Sequence, residues 1–362
     1  MPTIHDVARE AGVSASTVSR ALSGSRPVNP ELAERVARAA RSLGYRHNAV
    51  ARALRTNRSH TIGMVVPQIS NPFFPMLVEA LERRLQQEGV ELLLCDSAQD
   101  VAVEERRLRA LVERQVDGIV ISPLDTEASA PAVRAIAERV PLIQVDRRVG
   151  GAVSDWVGAD DTAGIGELVD LLVAGGRRRL RFVSSAVTNS SALDRATAFD
   201  AALARHGLAP AGDPLLGTFD VNWGRRAAEL IAASGTPVDG VVCGNDVIAL
   251  GMLRGLREAG LTVPDQVAVT GFDDIAFAEI SDPPLTTVRQ PWEAMAEECV
   301  RLLLRGGNGT ERDGGPRGVS IAPELRIRES TPPVLPGQRS QPPFPGRDRE
   351  EQSSPVRDKE QR

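Results

Sequence analysis

Cysteine is scarce in this chain: Cys95, Cys243 and Cys299 are the only three in 362 residues, and no two form a CxxC pair. Neither a disulfide framework nor a metal knuckle can be built from them, and a reducing compartment suits them best. No stretch reaches 18 consecutive apolar residues, and the N-terminus has no apolar signal core. Neither membrane spanning nor export is therefore expected, and the cytoplasm is the expected location. The four histidines, His5, His47, His60 and His206, are scattered, and GxSxG, HExxH and a phosphate-loop GK pair are all missing. These absences argue against an enzyme, and no cofactor or metal is expected. Lysine is reduced to Lys359 against 42 arginines, a codon-usage trait from which no function follows.

The charge that is present is unevenly spread. Residues 1–60 hold ten arginines against four acids, a charge of +6, while residues 61–330 hold 27 basic and 39 acidic residues, a charge of −12. A basic head on an acidic body points to a polyanion as partner of the head alone.

Periodicity gives the head a shape. Ile4, Val7, Ala8 and Ala11 make one helical stripe behind a Thr3–Asp6 capping box. Gly12 and Val13 interrupt it, and Ser14 is placed to cap a second helix with Val18, Ala21 and Leu22 turned inward. Asn29–Pro30 opens a third helix, and Gly44 closes it. A helix, a tight turn with glycine and a second helix packed on a third form a helix-turn-helix, whose second helix enters the DNA major groove; a generic three-helix bundle is the plainer alternative. Residues 48–56, NAVARALRT, are amphipathic but too short to hold a helix alone, so their folding is expected to depend on DNA.

From Thr61 the texture changes. TIGMVVP, ELLLCDS, GIVISP and PLIQVDR alternate with helical stretches, and LRFVSS, LLGTF, GVVCGND and VAVTGFDD form a second such series. That is the pattern of parallel strands with crossover helices. With late strands near TTVRQ and PELRIRES, it predicts two doubly wound lobes crossed more than once by the chain, with ligand held in the cleft between them. The polar, proline-rich residues 331–362 are expected to be a disordered tail.

The segments TIHDVAREAGVSASTVSRALSG, RSLGYRHNAVARALRT, IGMVVPQISNPFFPMLVEALE, CGNDVIALGML, VTGFDDIAFAEISDPPLTTVRQP and PELRIREST closely resemble the LacI/GalR family of bacterial regulators, over about residues 2–331. The resemblance implies an all-α three-helix DNA-binding headpiece (1–47) and a hinge helix (48–60). A two-lobed α/β periplasmic-binding-protein-like body (61–330) would follow. It implies a homodimer, with a tetramer open, bound to a double-stranded DNA operator and controlled by a small-molecule effector. A sugar that releases DNA is the expected effector, with a purine or nucleoside as the alternative. Repression is expected rather than activation.

Residue by residue, the resemblance places Ala15, Ser16 and Arg20 at base edges, and arginine is the side chain suited to guanine O6 and N7. It places Thr3, Ser14, Thr17, Ser19, Arg26 and Asn29 at phosphates, with helix capping as the alternative for Ser14, Thr17 and Asn29. Leu54 matches a residue that wedges into the minor groove, and Arg55 follows it on the hinge. In the body, Phe73 matches a ring that stacks on effector. Asp146 and Arg147 match polar contacts, and Arg195, Asn245, Asp246 and Asp273 fall at similar strand ends, with Asn189, Ser191 and Phe219 as further candidates; strand-end turns and helix caps are the plainer alternative. Carboxylates and arginines each take two hydroxyls, which suits a polyhydroxylated ligand. His47 stands where the family commonly has proline, and Ala198 where it commonly has glycine. An exported solute-binding protein would share the body but would have no use for the helix-turn-helix.

Overall fold

The computed structural model describes residues 2–23, 28–45, 58–151, 153–306 and 315–333. Nearly all of the expected hinge and of the expected tail lies outside these residues, as do Arg26, His47, Leu54 and Arg55.

The head is three helices, α1 (Ile4–Ala11), α2 (Ala15–Ser23) and α3 (Pro30–Ser42). Thr3 and Asp6 form the capping box at the start of α1, and Gly12, at φ 60°, ends it by sending its amide back to Ala8 and Arg9 carbonyls. A core of small residues, Val7, Ala8, Ala11, Val18, Val36, Ala39 and Ala40, joins all three helices.

Two α/β lobes follow. In the first, β1 (Thr61–Val66), β2 (Glu91–Asp96), β3 (Gly118–Ile121), β4 (Leu142–Val145) and β5 (Asp155–Ala159) are linked by α4 (Phe73–Gln87), α5 (Val101–Glu113) and α6 (Ala130–Ala137). In the second, α7 (Asp161–Ala174), β6 (Leu180–Ser185), α8 (Ser190–Arg205), β7 (Leu215–Gly217), α9 (Val221–Ala233), β8 (Gly240–Cys243), α10 (Asp246–Glu258), β9 (Ala268–Thr270) and α11 (Ala276–Ile280) alternate in order. The chain closes with β10 (Thr287–Arg289), α12 (Trp292–Gly306), β11 (Gly318–Ile321) and β12 (Glu324–Arg326).

The first sheet runs β11-β5-β4-β3-β1-β2 and the second β7-β6-β8-β9, with every pairing in both parallel. The central strands β1, β3, β4 and β8 are buried along almost their whole length, as expected where helices cover both faces, and Gln144 in β4 is the polar exception among their inner positions. Among the described residues the chain passes between lobes three times, after β5, after β10 and after β11. The first and third passages touch where Asp160 N–H donates to Ile321 O (2.9 Å). The second returns α12 to the first lobe, where Met295, Cys299 and Val300 pack with Phe74, Leu77 and Leu81. In the second lobe α9 and α10 touch backbone to backbone. A Cβ at Gly224 would lie 2.0 Å from Ile248 O, and one at Gly251 would lie 2.1 Å from Val221 O, so only glycine fits at this crossing.

The packed body reaches Thr331, one residue into the expected tail; its hydroxyl meets that of Thr286 (2.8 Å). Among the described residues no helix is long and apolar enough to cross a membrane.

Candidate functional site

On the head, the start of α2 presents a polar edge. Ser16 and Arg20 are exposed, and Ala15, Thr17 and Ser19 are half-buried. One turn apart on the same face, Ser16 and Arg20 meet where the Arg20 Nε–H donates to Ser16 O (3.3 Å). Ser14 is occupied locally: its hydroxyl accepts from Thr17 N–H (3.2 Å) and shares hydrogen bonds with the Ser16 and Thr17 hydroxyls (2.8 Å each). Thr3 is bound to Asp6, and Asn29 Oδ1 accepts from Glu31 N–H (2.9 Å), so both act as caps with one exposed edge.

The cleft between lobes gathers Asn71, Phe73, Phe74, Asp146 and Arg147 from the first lobe and Ser191, Arg195, Phe219, Asn245 and Asp273 from the second. Gln290 joins them from the passage into α12. The space among these side chains, with the open mouth of the cleft included, is about 250 Å³. Phe73 and Phe74 meet edge to face with centroids 5.2 Å apart, and the Arg147 guanidinium lies between the Phe74 and Phe219 rings (5.8 and 5.4 Å). Asp146 and Asp273 occupy strand ends at positive φ (61° and 118°), a costly conformation that aims both carboxylates into the cleft.

Every charge here is buried. The Arg195 Nε–H donates to Asp161 (2.8 Å) and its Nη1 to Gly244 O (2.7 Å); Nη1 also lies 3.8 Å from Asp273, and the guanidinium stacks on Phe272 at 3.8 Å. Asp146 accepts from Ser122 and, across the cleft, from Ser191 (3.4 Å each), and its Oδ2 lies 3.7 Å from Arg147 Nε. Gln290 Nε2 donates to Asp273 (2.7 Å). Burial pushes Asp273 up to about 7 and Asp161 to about 6, although Arg195 pulls both down. Burial likewise raises Asp146 against the pull of Arg147 and Arg195, and lowers Arg147 against the attraction of Asp146. Among the described residues, three buried polar atoms of the lining have no hydrogen-bond partner: Arg147 Nε, Asn245 Nδ2 and Gln290 Oε1. Such atoms in a cavity wall are the donors and acceptors a ligand would complete.

Of the expected body residues, Phe73, Asp146, Arg147, Ser191, Arg195, Phe219, Asn245 and Asp273 all line this cavity. Asn189 does not; it caps α8 through Ala192 N–H (3.0 Å) and lines an adjoining compartment at the cleft mouth, shared with Arg147 and Phe219. Asp246 lies behind the wall, accepting from Ile275 N–H (2.9 Å) and the Thr287 hydroxyl, where it braces the segment carrying Asp273. Asn71, Phe74 and Gln290 line the cavity without having been singled out. Asn71 and Phe74 flank Phe73 in the quoted SNPFF segment, and Gln290 ends TTVRQ, so their signal was adjacency to residues already noted.

Two family patterns match the chain: bacterial regulatory proteins of the lacI family over residues 3–48, and a periplasmic binding protein-like domain over residues 169–331. The ribose operon repressor of Escherichia coli (strain K12) is 34% identical over 308 residues, 84% of this chain and 92% of the relative. The transcriptional repressor PurR of Vibrio campbellii is 31% identical over 331 residues, 91% and 98% of the two chains. Among solved structures, the lac repressor dimer bound to operator and the anti-inducer ONPF superposes with a TM-score of 0.83 at 25% identity, covering 92% of this chain and 99% of that one. The CelR–cellobiose complex gives 0.68 at 29% identity, covering 91% and 100%. With this fold, this head and these relatives, the chain belongs to the LacI family of bacterial regulatory proteins.

Proposed function

We propose that this regulator is a dimeric repressor, released from its operator by a small, neutral sugar of pentose size held between the lobes. In this reading residues 1–47 read DNA, residues 48–60 fold on the operator as a hinge, and residues 61–330 sense the sugar and pair the subunits. Ser16 and Arg20, with Ala15, face base edges. Thr3, Ser14, Thr17, Ser19, Arg26 and Asn29 face phosphates, and Leu54 and Arg55 serve the minor groove.

The observation that carries the effector assignment is the lining itself. Two carboxylates, two guanidiniums and the amides of Asn71, Asn245 and Gln290 converge on one small cavity, with Phe rings supplied by both lobes. Paired carboxylates and arginines bind vicinal hydroxyls, and aromatic faces take the C–H faces of a sugar ring. A pentose offers O–H donors to both Asp146 and Asp273 at once, and it brings no net charge into a lining where two carboxylates face two guanidiniums. A 34% identical relative is a ribose operon repressor, which favours an aldopentose over a larger sugar. Asn189 and Asp246 support the site from its mouth and its back wall.

Because ligand binding to the native state raises its melting temperature, D-ribose, other aldopentoses, a disaccharide and free purine bases can be ranked by thermal shift and then by calorimetry. An aldopentose is expected to bind most tightly and to lower affinity for an operator selected from random DNA. Preference for a purine base, or an operator affinity indifferent to every sugar that binds, would overturn the assignment.

A further inference from the structure

Consecutive side chains after β4 leave the backbone in opposite directions. Arg147 turns into the cleft, where it is 6% exposed, while Arg148 turns to the rim. There the Arg148 guanidinium meets Asp194 of the second lobe (Nη2–Oδ2, 2.8 Å), and its backbone N–H donates to the Ser190 hydroxyl (2.9 Å). A second main-chain link runs beside it: Thr126 N–H donates to Thr188 O (2.8 Å), and Thr126 O in turn accepts from Gly150 N–H (3.0 Å). The segment 146–150 of the first lobe thus lies as a strap over residues 188–194, the start of α8.

The strap is stiff on its own side. Trp156 Nε1–H donates to Asp146 O (3.1 Å), Val149 N–H donates to Gln144 Oε1 (2.7 Å), and the Arg148 guanidinium rests on the Trp156 ring at 4.6 Å. Arg148 is therefore held in the orientation that reaches Asp194 before the lobes meet, which removes much of the entropy cost that makes partly exposed ion pairs weak.

We propose that Arg148 and Asp194 form a latch that holds the two lobes closed over the sugar, with Arg148 a positioning residue that sets the closed fraction without touching ligand. The proposal rests on the interlobe sugar reading, but its geometry stands apart from the cavity lining: neither Arg148 nor Asp194 belongs to that lining. Opening the lobes must break the Arg148–Asp194 pair together with the Thr126–Thr188 link, and sugar bound beneath them favours the state in which both are made.

The test is hydrogen exchange at the Thr126 and Arg148 amides in the full-length protein, with and without D-ribose, for wild type, Arg148→Ala, Asp194→Asn and Arg148→Lys. In the ligand-free protein, exchange at Thr126 is expected to quicken about two- to fivefold in Arg148→Ala and Asp194→Asn, the scale of one partly exposed ion pair. D-ribose affinity should weaken in parallel and operator affinity without sugar should tighten by up to the same factor, with Arg148→Lys intermediate because it keeps the charge but loses the planar group that rests on Trp156. Thr126 exchange unaltered in Arg148→Ala and Asp194→Asn would overturn the latch, as would acceleration confined to one of the two. If no aldopentose binds the wild type, the sugar reading falls, and ligand-free exchange still decides the latch.

Discussion

The head and the cleft solve opposite problems with the same polar residue types. In the head, polar side chains stand at the surface around a core of alanine and valine, and each is satisfied by its own helix: Thr3 by Asp6, Ser14 by Thr17, Asn29 by Glu31. In the cleft, Asp146, Arg147, Arg195 and Asp273 are all under 9% exposed and depend on partners from other elements. A polar group in water is replaceable at small cost, whereas a buried one leaves its partner stranded. Losses in the head should accordingly be graded and losses in the cleft steep.

The sharpest way to break that contrast is Arg195→Ala, which leaves Asp161 and Asp273 buried without their shared cation. Removing one partner of a buried pair costs about 3–5 kcal/mol, so the melting temperature should fall steeply, and a change of only a degree or two would show that the cleft tolerates loss as the head does. A pH titration of stability should show a smaller effect. Asp161 and Asp273 titrate near 6 and 7 in the folded chain, above their unfolded value of 3.8. The folded state therefore holds more protons between about pH 4 and 7. This contribution is fully present below about pH 4, declines as pH rises from about 4 through 6 to 7, and is flat above about 8. A melting-temperature profile of Asp161→Asn/Asp273→Asn that keeps the wild-type slope over that window would assign the slope to other groups.

On the head, Arg20→Ala should cost about 1–3 kcal/mol at one operator position and relax the preference there; uniform weakening on all sequences would make Arg20 a phosphate contact. The smallest effect is expected from Thr3→Ala, about 1 kcal/mol of head stability from the lost cap, read from the head's own unfolding transition.

The same contrast explains how much was legible in the sequence. Caps announce themselves by spacing, so Thr3–Asp6, the Gly12 break and Asn29–Pro30 were readable as local rules, and alternating apolar runs gave both lobes. The cleft residues at strand ends were readable through their motifs. Gln290 was not, because it reaches the cavity only by sitting on the second passage between lobes, a relation between β10 and α12 with no local signature. Asp161 reads in sequence as an ordinary acid in a first helical turn, yet it holds Arg195. Asp246 shows the reverse: it follows Asn245 directly, but as the first residue of α10 it turns back into its own lobe to brace the Asp273 segment.

The three passages of the chain between lobes also bear on how the protein comes off the ribosome. The first lobe is not a continuous stretch: its sheet is completed by β11 and its core by α12, both encoded after the whole second lobe. The head, whose core is complete by Ala40, emerges whole and can fold as soon as it is made. The sensor must wait for Ile321, and a nascent chain or fragment ending after Ala159 would expose Phe74, Leu77 and Leu81 without the helix that covers them. During synthesis, the part that binds DNA is therefore finished long before the part that regulates it.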